Sequence, residues 1–209
     1  MTTDYKAILD GYREKLLVYE KDTDWKLHKD DGELKLSTKR SREFDGIIYR
    51  SDFIFNTSPE KAVELTADLA FVLKINKHLA ELEVVESYDD NIVVFRSVSK
   101  SVMMGLISPR EFINVMQKYK FDDRNVYCVY HGNVEHPKCP EKPDLIRAIS
   151  YPSGRFIYAI DGEPNKCRVV GFSQSDAKLF PQKLVEQFTP GSITTHIKTT
   201  MQLINEGKV

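Results

Sequence analysis

Two imidazoles and a thiol fall close together at His131, His136 and Cys139, the donor types that hold zinc. Zinc needs three or four converging ligands. Here Pro137 follows His136, no CxxC or HxxxH spacing occurs, and an extended strand would turn alternate side chains to opposite faces. No metal site is expected. Glu81, Glu83 and Glu86 are the side chains that paired general acid and base work would use, yet Glu81 and Glu83 share one face of an expected strand and read as solvated. The chain carries no GxSxG elbow, phosphate-cradling glycine loop or HExxH helix. It is expected to be neither an enzyme nor a cofactor protein. Arg110 and Glu111 also invite a chemical reading, but an arginine just after Pro109 reads as a tie to backbone carbonyls or a nearby acid, and Arg147 is read the same way.

The segment with the strongest physical demand is apolar. Met103, Met104, Leu106 and Ile107 lie in a glycine- and proline-marked stretch between two runs that alternate like strands. Loops run over the surface and are usually polar, so four large apolar side chains there need a sink. The core of the domain, a lipid-sized ligand and a membrane are the three candidates.

The elements that would position this loop follow from periodicity. Tyr5, Ile8, Leu9, Tyr12, Leu16 and Tyr19 recur at helical spacing, so an amphipathic helix opens the chain. Three alternating strands fit between residues 24 and 56. Ser58-Pro59-Glu60 is a hydroxyl cap, a first-turn proline and an acid, which starts a short helix over 59–77. Extended segments follow at 79–88, 91–100, 110–121, 125–135, 144–160 and 165–175, divided by Asp-, Asn- and Gly-rich turns. Leu184, Phe188, Ile193, Ile197, Met201 and Ile204 mark a last helix over 181–205, where Thr189-Pro190-Gly191 predicts a kink or break. The whole is one α+β domain over 1–209, an antiparallel sheet wrapped around the last helix, an arrangement that can leave a ligand cavity.

Composition narrows the class. A hydrophobic share of 41% against 29% charged residues suits a globular core and excludes disorder. No apolar run approaches the roughly 20 residues of a spanning helix. Cys128, Cys139 and Cys167 form an odd set without disulfide spacing, so a reducing, cytoplasmic location is expected. A net charge of −1 gives no general attraction to nucleic acid. Lys35, Lys39, Arg40 and Arg42 form a local basic cluster that suits either anionic lipid or a solvated strand edge.

Several blocks resemble, in order, the START (StAR-related lipid-transfer) domains, especially the small single-domain sterol carriers. They are Leu106-Ile107-Ser108-Pro109-Arg110-Glu111-Phe112, then Val134-Glu135-His136-Pro137 with Cys139-Pro140 and Lys142-Pro143, then Ile146-Arg147, Gly162-Glu163-Pro164 and Phe180-Pro181-Gln182. The resemblance implies a helix-grip fold, about nine antiparallel strands around the C-terminal helix, with a hydrophobic tunnel for one lipid. It makes Met103, Met104, Leu106 and Ile107 a lid loop, which agrees with their apolar character.

The resemblance also implies where the ligand's polar end would lie. Many family members pair a buried acid before the lid with an arginine after it, and the matching positions here are Ser97 and Met116, so both charges are missing. Ser97 and Asn114 could then bond one hydroxyl, or only backbone and water, with Val93, Phe95 and Phe112 as apolar wall. On the last helix Phe188, Ser192, His196 and Thr200 form a candidate floor; His196 is either a pocket donor or part of an exposed face with Thr195 and Thr199. The expected protein is a monomeric carrier of one sterol-like molecule that touches membranes transiently. A bile acid, oxysterol or phospholipid cargo, or a ligand-gated interaction module, are the alternatives.

Overall fold

The computed structural model describes residues 3–88, 91–101, 107–179 and 182–209, with Gln182 and Lys183 described as backbone alone. Met103, Met104 and Leu106 therefore lie outside the described residues.

Helix α1 spans Tyr5–Lys21, and the Asp4 carboxylate caps it by accepting from the Ala7 amide at 3.0 Å. Its buried stripe is Tyr5, Leu9, Leu16 and Tyr19. Strands β1 (Lys26–Asp30), β2 (Leu34–Arg40) and β3 (Ile47–Phe55) form the expected meander. Helix α2 (Pro59–Ala67) begins where Ser58 accepts from the Lys61 amide at 3.2 Å, with Pro59 in the first turn. The single helix expected over 59–77 is in fact two. Asp68 stops α2 and caps α3 (Leu69–Ile75), its side chain accepting from the Phe71 amide at 3.0 Å.

The strands after that are β4 (Leu79–Tyr88), β5 (Ile92–Ser99), β6 (Arg110–Phe121) and β7 (Val126–Asn133). Two-residue pieces follow, β8 (Ile146–Arg147) and β9 (Ile149–Ser150), then β10 (Ser153–Ala159), β11 (Cys167–Ser173) and β12 (Ser175–Asp176). Helix α4 covers Gln182–Asn205 and runs through Pro190 as one helix, so of the expected kink or break the break does not occur. Pro190 has no amide to donate to the Glu186 carbonyl one turn back, and beside it the Thr189 hydroxyl donates to the Val185 carbonyl at 2.7 Å.

The main sheet follows the path β1-β2-β3-β11-β10-β7-β6-β5-β4, all antiparallel, with β8 joining β6 in parallel and β9 pairing β12 apart from it. Alternation along the central strands separates two cores. On one face Val94, Ile113, Val115, Cys128, Tyr130 and Phe156 pack under α1. On the other, Phe53, Phe55, Phe95, Met116, Val129, Ile157 and Val169 meet residues of α2, α3 and α4. All three cysteines are free and buried. Among the described residues no helix is long and apolar enough to cross a membrane.

Candidate functional site

The second face is incompletely filled. Between the inner sheet surface and α4 lies a cavity of about 780 Å³, within the range of about 300–1,000 Å³ usual for clefts that hold one small molecule. Its wall draws Leu184, Val185, Phe188, Ile193 and Ile197 from α4, Val72 from α3, Phe112 from β6 and Gly171 and Phe172 from β11. The inward stripe of α4 supplies apolar surface because three- and four-residue spacing keeps those side chains on one side. Ile107, the one expected lid residue among those described, is half-buried and lines the cavity.

The expected site residues divide into two groups. Phe112, Phe188, Ser192 and His196 line the cavity, and Phe188 is 61% exposed, which places it at the rim. His196 is half-buried in the cavity wall and not part of an outer polar face, and its Nδ1 is covered and without a hydrogen-bond partner. Burial, with the neighbouring Arg155 charge, pushes its pKa down to about 3, so the ring is neutral. Val93, Phe95, Ser97, Asn114, Met116 and Thr200 lie outside the cavity wall. Phe95 and Met116 belong to the packed core that includes Ile197. Ser97 is buried opposite Phe112, Val93 stands opposite Met116, and Asn114 is 3% exposed with an unpartnered Oδ1. The Thr200 hydroxyl donates to the His196 carbonyl at 3.0 Å.

The base of the loop is held by charges. Arg110 donates through Nε to the Ala177 carbonyl at 3.0 Å and through its terminal nitrogens to the carbonyls of Ser108 and Lys178, the carbonyl tie expected for it. Glu111 is 1% exposed. It accepts from Arg96 Nε at 2.5 Å and from Arg147 Nε and Nη2 at 3.0 and 2.8 Å. Burial alone would raise the Glu111 pKa, and the two guanidiniums outweigh it, leaving the carboxyl below its ordinary value. Arg147 also reaches the Cys139 carbonyl at 2.9 Å, so three of the sequence blocks meet at one buried carboxylate. His136 sits apart, its Nε2 2.9 Å from Glu86. Among the described residues no cluster of His, Cys, Asp and Glu could hold a metal ion.

Sequence reasoning missed Arg155. It lines the cavity from β10, directly across from Gly171 of β11. A Cβ at Gly171 would stand 2.6 Å from Ser51 Oγ and 3.4 Å from Arg155 Cγ, so the glycine leaves room for both side chains. Ile157 two residues along β10 belongs to the inner core and Phe156 to the outer one, which fixes the face of Arg155 by alternation.

Comparison with known proteins gives one answer. A family profile described as START domain matches residues 12–208. StAR-related lipid transfer protein 5 of Bos taurus is 32% identical over 190 residues, 89% of each chain. StAR-related lipid transfer protein 6 of Homo sapiens is 27% identical over 197 residues, 93% of this chain and 89% of the relative. The solved structure of human StAR-related lipid transfer protein 5 superposes with a TM-score of 0.87 at 27% identity, covering 98% of both chains. With a sheet, a C-terminal helix and a cavity disposed as described, the chain belongs to the START domain family.

Proposed function

We propose that this protein is a non-enzymatic, monomeric carrier that takes one sterol-like molecule into the cavity and moves it between membranes in the cytoplasm. The observation that carries the reading is the cavity itself, about 780 Å³ walled largely by apolar side chains between sheet and α4. Moving apolar area from water into such a space gains roughly 25 cal/mol per Å², enough for a closed cavity to compete with a bilayer. Each relative named above is named for lipid transfer. Ile107 and the exposed Phe188 at the rim form apolar surface that meets a membrane during exchange.

The test is native mass spectrometry of the purified protein after incubation with a mixed lipid extract, followed by transfer of a fluorescent sterol between donor and acceptor vesicles. One bound lipid per chain and protein-dependent transfer are expected. A chain that stays empty and leaves the vesicle-to-vesicle rate unchanged refutes the carrier reading.

A further inference from the structure

The cavity has a charge pattern that an apolar cargo leaves unused. Among the described residues its wall carries three cationic side chains, Lys100, Arg110 and Arg155, and no carboxylate. Lys100 is solvent-exposed, and Arg110 is taken up by backbone carbonyls. Arg155 is neither. No hydrogen bond or ion pair reaches it among the described residues, and burial alone pulls its pKa down to about 10. It is therefore still charged at neutral pH, with five N–H donors that cannot be discharged by any nearby acid.

Its surroundings are built for an acceptor. Ser153 of β10 opposes His131 of β7 while Arg155 opposes Val129, so His131 lies diagonally next to Arg155 on the same face. His131 and His196 both feel the Arg155 charge and, chiefly through burial, have pKa values lowered to about 4 and about 3. Both rings are neutral, and neither competes with an anion. His196 lines the cavity although its own Nδ1 is covered and unpartnered, and Ser192, one turn earlier on α4, lines the same cavity. A guanidinium, an imidazole and a hydroxyl then line one cavity whose described wall holds no negative group.

We propose that Arg155, His196 and Ser192 form an oxyanion site at the inner end of the cavity, and that the carried molecule is an amphipathic lipid ending in a carboxylate, sulfate or phosphate. The inference rests on the carrier reading and narrows its cargo. A planar guanidinium matches the oxygens of an oxyanion two at a time, which a neutral sterol hydroxyl cannot use.

The experiment is a matched pair: a side-chain carboxylic acid of the cholane skeleton and its methyl ester, titrated into the wild type, Arg155→Met and Arg155→Lys, with excess sodium acetate as a third arm. The wild type is expected to bind the acid about tenfold to a hundredfold more tightly than the ester. In Arg155→Met the acid falls to the level of the ester, and Arg155→Lys recovers part of the preference. Because the arginine lacks a partner in the empty protein, Arg155→Met is expected to melt no lower than the wild type; an unfolded variant would make the residue structural and overturn the proposal. Equal affinities in the wild type, or a preference that survives in Arg155→Met, overturn it while leaving sterol carriage standing. Acetate that displaces the acid completely would mark a small-ion site and overturn the lipid assignment. If acid, ester and neutral sterol all fail to bind, the carrier reading falls as well.

Discussion

Replacing Glu111 by alanine should be among the most damaging single changes outside the cavity. The carboxylate is 1% exposed and accepts from Arg96 at 2.5 Å and Arg147 at 3.0 and 2.8 Å, so its loss leaves two guanidiniums short of their counter-ion. Breaking a buried pair from one side costs about 3–5 kcal/mol. The lower end applies here. Arg96 keeps Glu81 and Glu83 at 2.5 and 3.1 Å, and Arg147 keeps the Cys139 carbonyl at 2.9 Å. At about 3 kcal/mol the melting temperature of a domain this size drops by about 6–12 °C. Urea denaturation at neutral pH measures it. The double variant Glu111→Ala with Arg147→Met should lose less than the sum of its singles, with a coupling of about 1.5 kcal/mol or more. A single-variant loss under about 1 kcal/mol, or strict additivity, would refute the claim that this network joins the loop base to β8 and the 134–139 segment.

Three further outcomes are expected. Ser192→Trp puts an indole into the cavity, so fluorescent sterol binding should vanish while the melting temperature stays within a few degrees; retained binding would show that the cargo lies elsewhere. Asp68→Ala removes the cap that accepts from the Phe71 amide at 3.0 Å, and should cost about 1 kcal/mol in urea unfolding, against which an unchanged midpoint would count. Acid should destabilise the fold before the carboxylates titrate. His131 and His196 have pKa values lowered to about 4 and about 3 in the folded chain, against about 6.5 unfolded. Between those limits the unfolded chain binds more protons, so stability falls as pH drops below about 6.5, by on the order of 3 kcal/mol for each ring. A stability curve that is flat between about pH 7 and 4.5 contradicts this, and the variants His131→Asn and His196→Asn should flatten it.

Local chemistry in the sequence located most element boundaries, and tertiary context moved the rest. Ser58, Pro59 and Glu60 mark the start of α2 through capping alone, and the alternation in 79–88 and 110–121 matches β4 and β6 residue for residue. Asp68 was unreadable as a boundary because Leu65, Leu69 and Val72 continue across it at four- and three-residue spacing. The run 144–160 reads as one extended segment. It divides because Arg147 is drawn to Glu111, which sets β8 beside β6 in parallel, and because Pro152 interrupts the chain before β10.

The site was harder to read for a reason that lies in the sheet. Strand β10 is buried on both faces, Phe156 under α1 and Ile157 against the α2 to α4 side, so hydrophobic alternation vanishes and the direction of Arg155 cannot be taken from its neighbours' polarity. The positions that the resemblance assigns to a charge pair, Ser97 on β5 and Met116 on β6, are uncharged here, while the charge stands on β10. What the sequence does offer is a cation inside a short apolar strand. Among the described strands Arg50 in Ile47–Phe55 and Arg168 in Cys167–Ser173 are such cases and both pair with Asp52; Arg96 in Ile92–Ser99 and Arg155 in Ser153–Ala159 are two more. A buried charge persists only where something compensates it. For Arg96 the structure supplies Glu111, Glu81 and Glu83. For Arg155 the described protein supplies an open cavity and no acid, and that contrast between two arginines in similar strands is the reason to look for its counter-ion in the ligand.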